Sequence, residues 1–121
     1  MSLKQKGLDR LHDILGENGK TVVERLTKIS PDFAEYIVNF VYADLYARPG
    51  LSDKERELIV VTSLISQGNT GIPLKTHIHG MLNVGWTQAQ IIELIIFITC
   101  YTGFPAAVDA LVTAQEVFDT L

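Results

Sequence analysis

The chain is 121 residues long, enough for one domain with its own core, and its 20% charged and 47% hydrophobic residues exclude a disordered chain. A net charge of -4 without any Lys/Arg cluster argues against a nucleic-acid partner, and a single cysteine, Cys100, excludes an internal disulfide and any cysteine-pair zinc or redox site. The hydrophobic fraction is high for a small soluble monomer, so part of it is expected to be covered between subunits.

Apolar spacing is helical nearly throughout, and no repeat or linker interrupts it. Leu8, Leu11 and Leu15 form a first stripe that ends near Gly16 and Gly19, and Val22, Leu26 and Ile29 form a second. Ser30-Pro31 reads as a helix start, with Ser as N-cap and Pro at the first helical position. The stripe Phe33, Ile37, Phe40, Val41 and Leu45 follows, and Pro49-Gly50 stops it. Ser52-Asp53-Lys54-Glu55 is a capping-box sequence that opens a helix carrying Leu58, Val61 and Ile65, fading at Gly68-Asn69.

Pro73 opens the next helix, with Leu74, Ile78, Met81 and Leu82 inward and Gly85 as its stop. Thr87 to Gln90 is a second capping box, and its helix through Cys100 is apolar on nearly every face, the mark of a central or interface helix. Gly103-Phe104-Pro105 breaks the chain before a last helix from Ala106 to Leu121. The fold class is all-α, a bundle of about six or seven helices. The most apolar stretch, Ile91 to Val108, is broken by Glu93, Gly103 and Pro105, and reads as buried helix followed by a break, without a membrane span. The first residues lack a signal-peptide layout, so a cytoplasmic protein is expected.

Few residues offer chemistry. His77 points with the apolar stripe of Leu74, Ile78 and Met81, as a core histidine bonded to a neighbour or as an acid–base group. His77 and His79 lie about 200° apart on a helix, so a joint metal site is not expected and His79 faces solvent or a partner. His12 sits on a polar face and has no assigned role. Glu57 shares a face with Val61 and Leu64; it is either a helix N-terminal carboxylate or a partner for His77 across a helix–helix contact. Glu93 reads as one half of a structural salt bridge at a subunit interface, and Cys100 as a small buried hydrophobe.

The segments Arg48-Pro49-Gly50-Leu51-Ser52, Leu74-Lys75-Thr76-His77, Leu82-Asn83-Val84-Gly85 and Tyr101-Thr102-Gly103-Phe104-Pro105-Ala106-Ala107 together resemble the carboxymuconolactone decarboxylase family. The resemblance covers one domain over the whole chain, with residues 1–30 a weakly matching helical arm. It implies an alkyl hydroperoxidase D-like helical subunit that assembles as trimers or hexamers, with a site between helices near His77. It also implies decarboxylation of a small lactone-like acid in aromatic breakdown, with no cofactor and no metal.

The hydroperoxidase branch adds a Cys-x-x-Cys pair, which here falls at Thr70 and Pro73, while its glutamate matches Glu57. The reactive sulfurs of that relay are therefore missing, and the Glu and His are kept. An arginine is typical of the decarboxylases two residues after the histidine, where this chain has His79. An acidic residue typical before the histidine is replaced around Ile72-Pro73. The reading is a carboxy-lyase with His77 and Glu57 catalytic and Lys75 and His79 binding a substrate carboxylate. Thiol peroxidase chemistry and a non-catalytic binding protein are the alternatives.

Overall fold

Local sequence signals set most helix ends. In the computed structural model, which describes all 121 residues, the chain forms six α-helices and no strand. Contacts divide it into two units, Met1–Asp53 and Lys54–Leu121, each with a core of its own. No helix is long and apolar enough to cross a membrane.

In the first unit, α1 (Leu3–Ile29) is capped by the Ser2 hydroxyl, which accepts from the Gln5 N–H at 3.1 Å. The backbone leaves helical geometry at Gly16 (φ 61, ψ -146), so α1 is two runs joined by a kink where the first apolar stripe ends. Gly7, Leu11, Ile14 and Leu15 are buried. The second stripe is not core in the same way: Val22 and Leu26 are half-buried and Ile29 is exposed. Ser30 caps α2 (Pro31–Tyr36) by accepting from Phe33 N–H at 3.2 Å, with Pro31 in the first turn, as the Ser-Pro pair foretells.

After α2 the sequence reading needs correcting. The expected stripe of Phe33, Ile37, Phe40, Val41 and Leu45 does not face inward; Phe33, Phe40 and Leu45 are exposed. The buried residues are Ala34, Val38, Tyr42 and Tyr46, spaced by four, together with Ala43. The reason is the backbone, which widens into a π-helical turn over Ile37–Tyr42, where Ala43 N–H bonds to Val38 C=O five residues back, before a 3-10 turn at Leu45–Ala47. Tyr42 and Tyr46 stack at 4.5 Å between ring centroids. Arg10 on α1 donates to the Tyr46 carbonyl at 2.7 Å and to Asp53 at 2.6 Å. The hydrogen bond that Arg10 donates to Asp53 raises the Arg10 pKa further, against burial, so this tie stays charged.

The second unit holds α3 (Asp53–Ser66) from its second residue on, α4 (Ile72–Asn83), α5 (Gln88–Thr102) and α6 (Phe104–Phe118). Its core joins Val61 and Ile65 of α3, Leu74, Ile78 and Met81 of α4, Ile91, Ile95 and Ile98 of α5, and Ala107, Ala110, Ala114 and Val117 of α6. The expected inward residues of α3 and α4 are therefore found there, with Leu58 and Leu82 half-buried against the cluster. The Thr87 capping box is complete: Thr87 accepts from Gln90 N–H at 3.1 Å, and Gln90 accepts from Thr87 N–H at 3.0 Å. Gly103 (φ 90) separates α5 from α6, which starts two residues earlier than the sequence suggested.

The expectation for Cys100 fails. Its thiol is exposed on the outer side of α5, beside Ile96, Phe97 and Tyr101, which are exposed too. Positions 93, 96, 97, 100 and 101 fall on one helical face, and the buried Ile91, Ile95 and Ile98 on the other. Glu93 is exposed on that same outer face.

Candidate functional site

The site is built on α3 and α4. α3 begins one residue after Ser52, and Glu57 then sits in its second turn, four residues before the core residue Val61. Glu57 is fully buried. α4 begins at Ile72 with Pro73 in its first turn, which places His77 one turn after Leu74. Its end is a Schellman motif: Gly85 N–H bonds to Leu82 C=O at 3.2 Å and Trp86 N–H to Met81 C=O at 2.9 Å. Gly85 takes φ 109 there, a value that a residue with a Cβ adopts only with strain.

Across the two helices, His77 Nδ1 lies 3.0 Å from Glu57 Oε2 and 3.2 Å from Oε1. The His77 side chain retains 16% of its exposure and Glu57 none. With Glu57 ionised, its oxygens only accept hydrogen bonds and Nδ1 carries the proton toward them. That fixes the tautomer and leaves Nε2 to exchange a proton with a ligand. A buried carboxylate held on an imidazole in this way orients the ring.

The other expected site residues stand elsewhere. Lys75 Nζ lies 3.0 Å from Glu116 of α6, and both side chains are half-exposed. Helical geometry puts Lys75 and His79 about 40° apart, on the side of α4 opposite His77. His77 thus faces α3, whereas Lys75 reaches α6. His79 is half-buried, and desolvation lowers its pKa from the usual 6.5, favouring the neutral ring. His12 is exposed and lies 3.7 Å from Glu17. No three His, Cys, Asp or Glu side chains gather into a metal cradle.

A second bridge joins the same two segments, and the sequence reading passed over it. The Trp86 indole N–H donates to the Lys54 carbonyl in the first turn of α3 at 2.8 Å. The Lys54 ammonium stands 4.5 Å from the centre of the Trp86 ring. The available signal was a lone tryptophan placed directly after the helix-stopping Gly85.

This is an all-helical protein with a carboxylate–imidazole pair held between two helices of a small bundle. The carboxymuconolactone decarboxylase family model matches residues 31–116, and the chain belongs to that family. The chain is 31% identical over 118 residues to the 4-carboxymuconolactone decarboxylase of Acinetobacter baylyi, covering 97% of this chain and 87% of that protein. It is 26% identical over 120 residues to the nitrosuccinic acid decarboxylase of Metarhizium robertsii, covering 98% of this chain and 83% of that protein.

Proposed function

We propose that this protein is a cofactor-free carboxy-lyase acting on a small acid, lactone-like or otherwise carrying an electron-withdrawing group beside the carboxylate. The observation that carries the reading is the buried Glu57 carboxylate on His77 Nδ1, with Nε2 left over. The names of the two relatives support it: one is a lactone bearing a carboxyl group, the other an acid bearing a nitro group. Each of those groups can take up an electron pair.

In the reaction the bond between the carboxylate carbon and its neighbour breaks, and carbon dioxide leaves. The electron pair stays on the neighbouring carbon and spreads into the electron-withdrawing group. Protonated His77 then delivers the Nε2 proton to that carbon, and the ring regains a proton from solvent. Glu57 holds the ring in position through its contact with Nδ1. Val61 and Leu74, one turn from Glu57 and His77 on the same helices, belong to the apolar core. A dithiol peroxidase would need a second sulfur, and Thr70 and Pro73 stand at the two positions.

Lys75 and His79 point away from the pair. A carboxylate clamp formed by them therefore serves a site completed by an adjoining subunit. The reading is tested by carbon dioxide release from 4-carboxymuconolactone, nitrosuccinate and related acids, with wild type beside His77→Gln. General acid catalysis contributes about 10² to 10⁴ in rate, and the variant should lose that much. Wild-type turnover in His77→Gln would overturn the acid–base role.

A further inference from the structure

We propose that Lys54, laid across the face of Trp86, binds a second carboxylate of the acid whose first carboxylate leaves at His77; the inference rests on the decarboxylase reading of the Glu57–His77 pair. All four residues lie in the second unit, on the same two segments. Lys54 and Glu57 are three residues apart on α3, about 4.5 Å along its axis and about 60° around it. His77 belongs to α4, and Trp86 to the Schellman turn that closes α4. The Trp86 indole N–H donates to the Lys54 carbonyl at 2.8 Å, while Glu57 meets His77 Nδ1 at 3.0 Å. The Lys54 side chain therefore leaves α3 one turn from Glu57, on the side of the closing turn of α4.

Charge argues for such a group. With Glu57 ionised and His77 protonated the two charges cancel, so the pair by itself draws in no anion. An acid with two carboxylates needs a cation of its own. Lys75 is paired with Glu116 at 3.0 Å, and Arg56, in the same turn as Lys54, already has an interaction partner. The Lys54 ammonium stands 4.5 Å from the centre of the Trp86 ring, with no carboxylate on it. An aromatic face takes up one side of an ammonium, and its three N–H donors still reach an anion on the other. The ring also restrains the lysine stem, so less side-chain freedom is lost when the anion binds. Burial points the same way. His77 is recessed and Lys54 is exposed, and the exposed rim is the cheaper place for the carboxylate that keeps its charge throughout the reaction.

Trp86 is the only tryptophan, so its fluorescence reports binding beside Lys54 without any turnover. The probes are nitrosuccinate and its monoester at the carboxylate remote from the nitro group. Nitrosuccinate should change the emission of the full chain saturably. Lys54→Gln keeps the backbone carbonyl that Trp86 bonds, and should raise the dissociation constant about tenfold, the size of one charge-assisted hydrogen bond. Lys54→Arg should restore tight binding. Lys20→Gln, which removes a charge from α1 instead, should bind as the wild type does. The monoester should bind wild type and Lys54→Gln alike, and both weakly. The proposal is overturned by equal dissociation constants in wild type and Lys54→Gln, by a monoester that binds the wild type as tightly as the diacid, or by no saturable change at all. If the titrations run as expected and no acid is decarboxylated, the functional reading fails and the anion site stands. If carbon dioxide release depends on His77 while Lys54→Gln binds normally, the functional reading stands and the anion site fails.

Discussion

Glu57 is the residue whose presence most needs a reason. A fully buried carboxylate is costly, and an apolar pair of similar volume is often as stable as a buried ion pair or more so. His77→Leu leaves the carboxylate stranded and should destabilise the fold by about 3 kcal/mol. Adding Glu57→Leu should recover most of that loss, since the packing is kept and no charge is buried. Urea unfolding of the three proteins checks this. A double variant as unstable as His77→Leu would mean that the pair supports the fold and owes little to chemistry. His79 makes a separate claim. Burial lowers its pKa below 6.5, so the unfolded chain takes up a proton more readily than the folded one. Its neutral form costs nothing above pH 6.5, and stability falls as the pH drops through 6.5 toward the lower folded value. Melting temperatures of wild type and His79→Gln should run parallel above that point and diverge below it, with wild type losing more. Parallel curves throughout would show that His79 titrates as in the unfolded chain.

Among the elements, α1 and the π-helical turn meet most closely at Gly7. A Cβ built there would stand 2.0 Å from the Val38 carbonyl oxygen and 2.8 Å from its Cγ1. Alanine in an open helix gains up to about 1 kcal/mol over glycine from propensity alone. At Gly7 the sign should reverse, with Gly7→Ala destabilising by about 1 to 3 kcal/mol, because a backbone oxygen cannot swing aside as a side chain can. A calorimetric melt decides it, and a neutral or stabilising alanine would show that the two elements are not so close. The same region shows what the sequence could and could not reveal. Ser30, Thr87, Gly85 and Gly103 end or start helices by local chemistry, so those boundaries could be read directly. The buried face after Pro31 could not, because a π-helical turn changes the repeat and small Ala34 and Val38 outrank larger Phe33 and Phe40. Glu57 and His77 were legible as two polar residues on apolar faces, while their contact across twenty positions was not. Trp86 escaped because its part is played by a ring nitrogen on a backbone oxygen, which leaves no mark in residue spacing.

At the scale of the molecule, the outer faces of α5 and α6 remain to be accounted for. Phe97 is 68% exposed, Tyr101 79% and Phe104 75%, with Ile96, Val108 and Val112 more than half exposed. Soluble monomers rarely carry so many large apolar side chains on one part of their surface, and such patches mark association sites. We propose that a second copy of the chain covers this surface, as the family resemblance implies for trimers or hexamers. Obligate interfaces bury about 2,000 Å² or more, and aromatic residues dominate their energetics. Light scattering should therefore give a multiple of 13.4 kDa at micromolar concentration. Phe97→Asp with Phe104→Asp places charges on the patch and should release subunits near 13.4 kDa that keep their helical spectrum. Cys100 supplies an internal reporter, since its thiol lies on this face and is exposed in the single chain. A thiol reagent should modify it slowly in the wild type and fast in the double variant. A single-subunit mass for the wild type, or equal thiol reactivity in both proteins, would leave these aromatics as plain surface and remove any shared site that Lys75 and His79 would help to build.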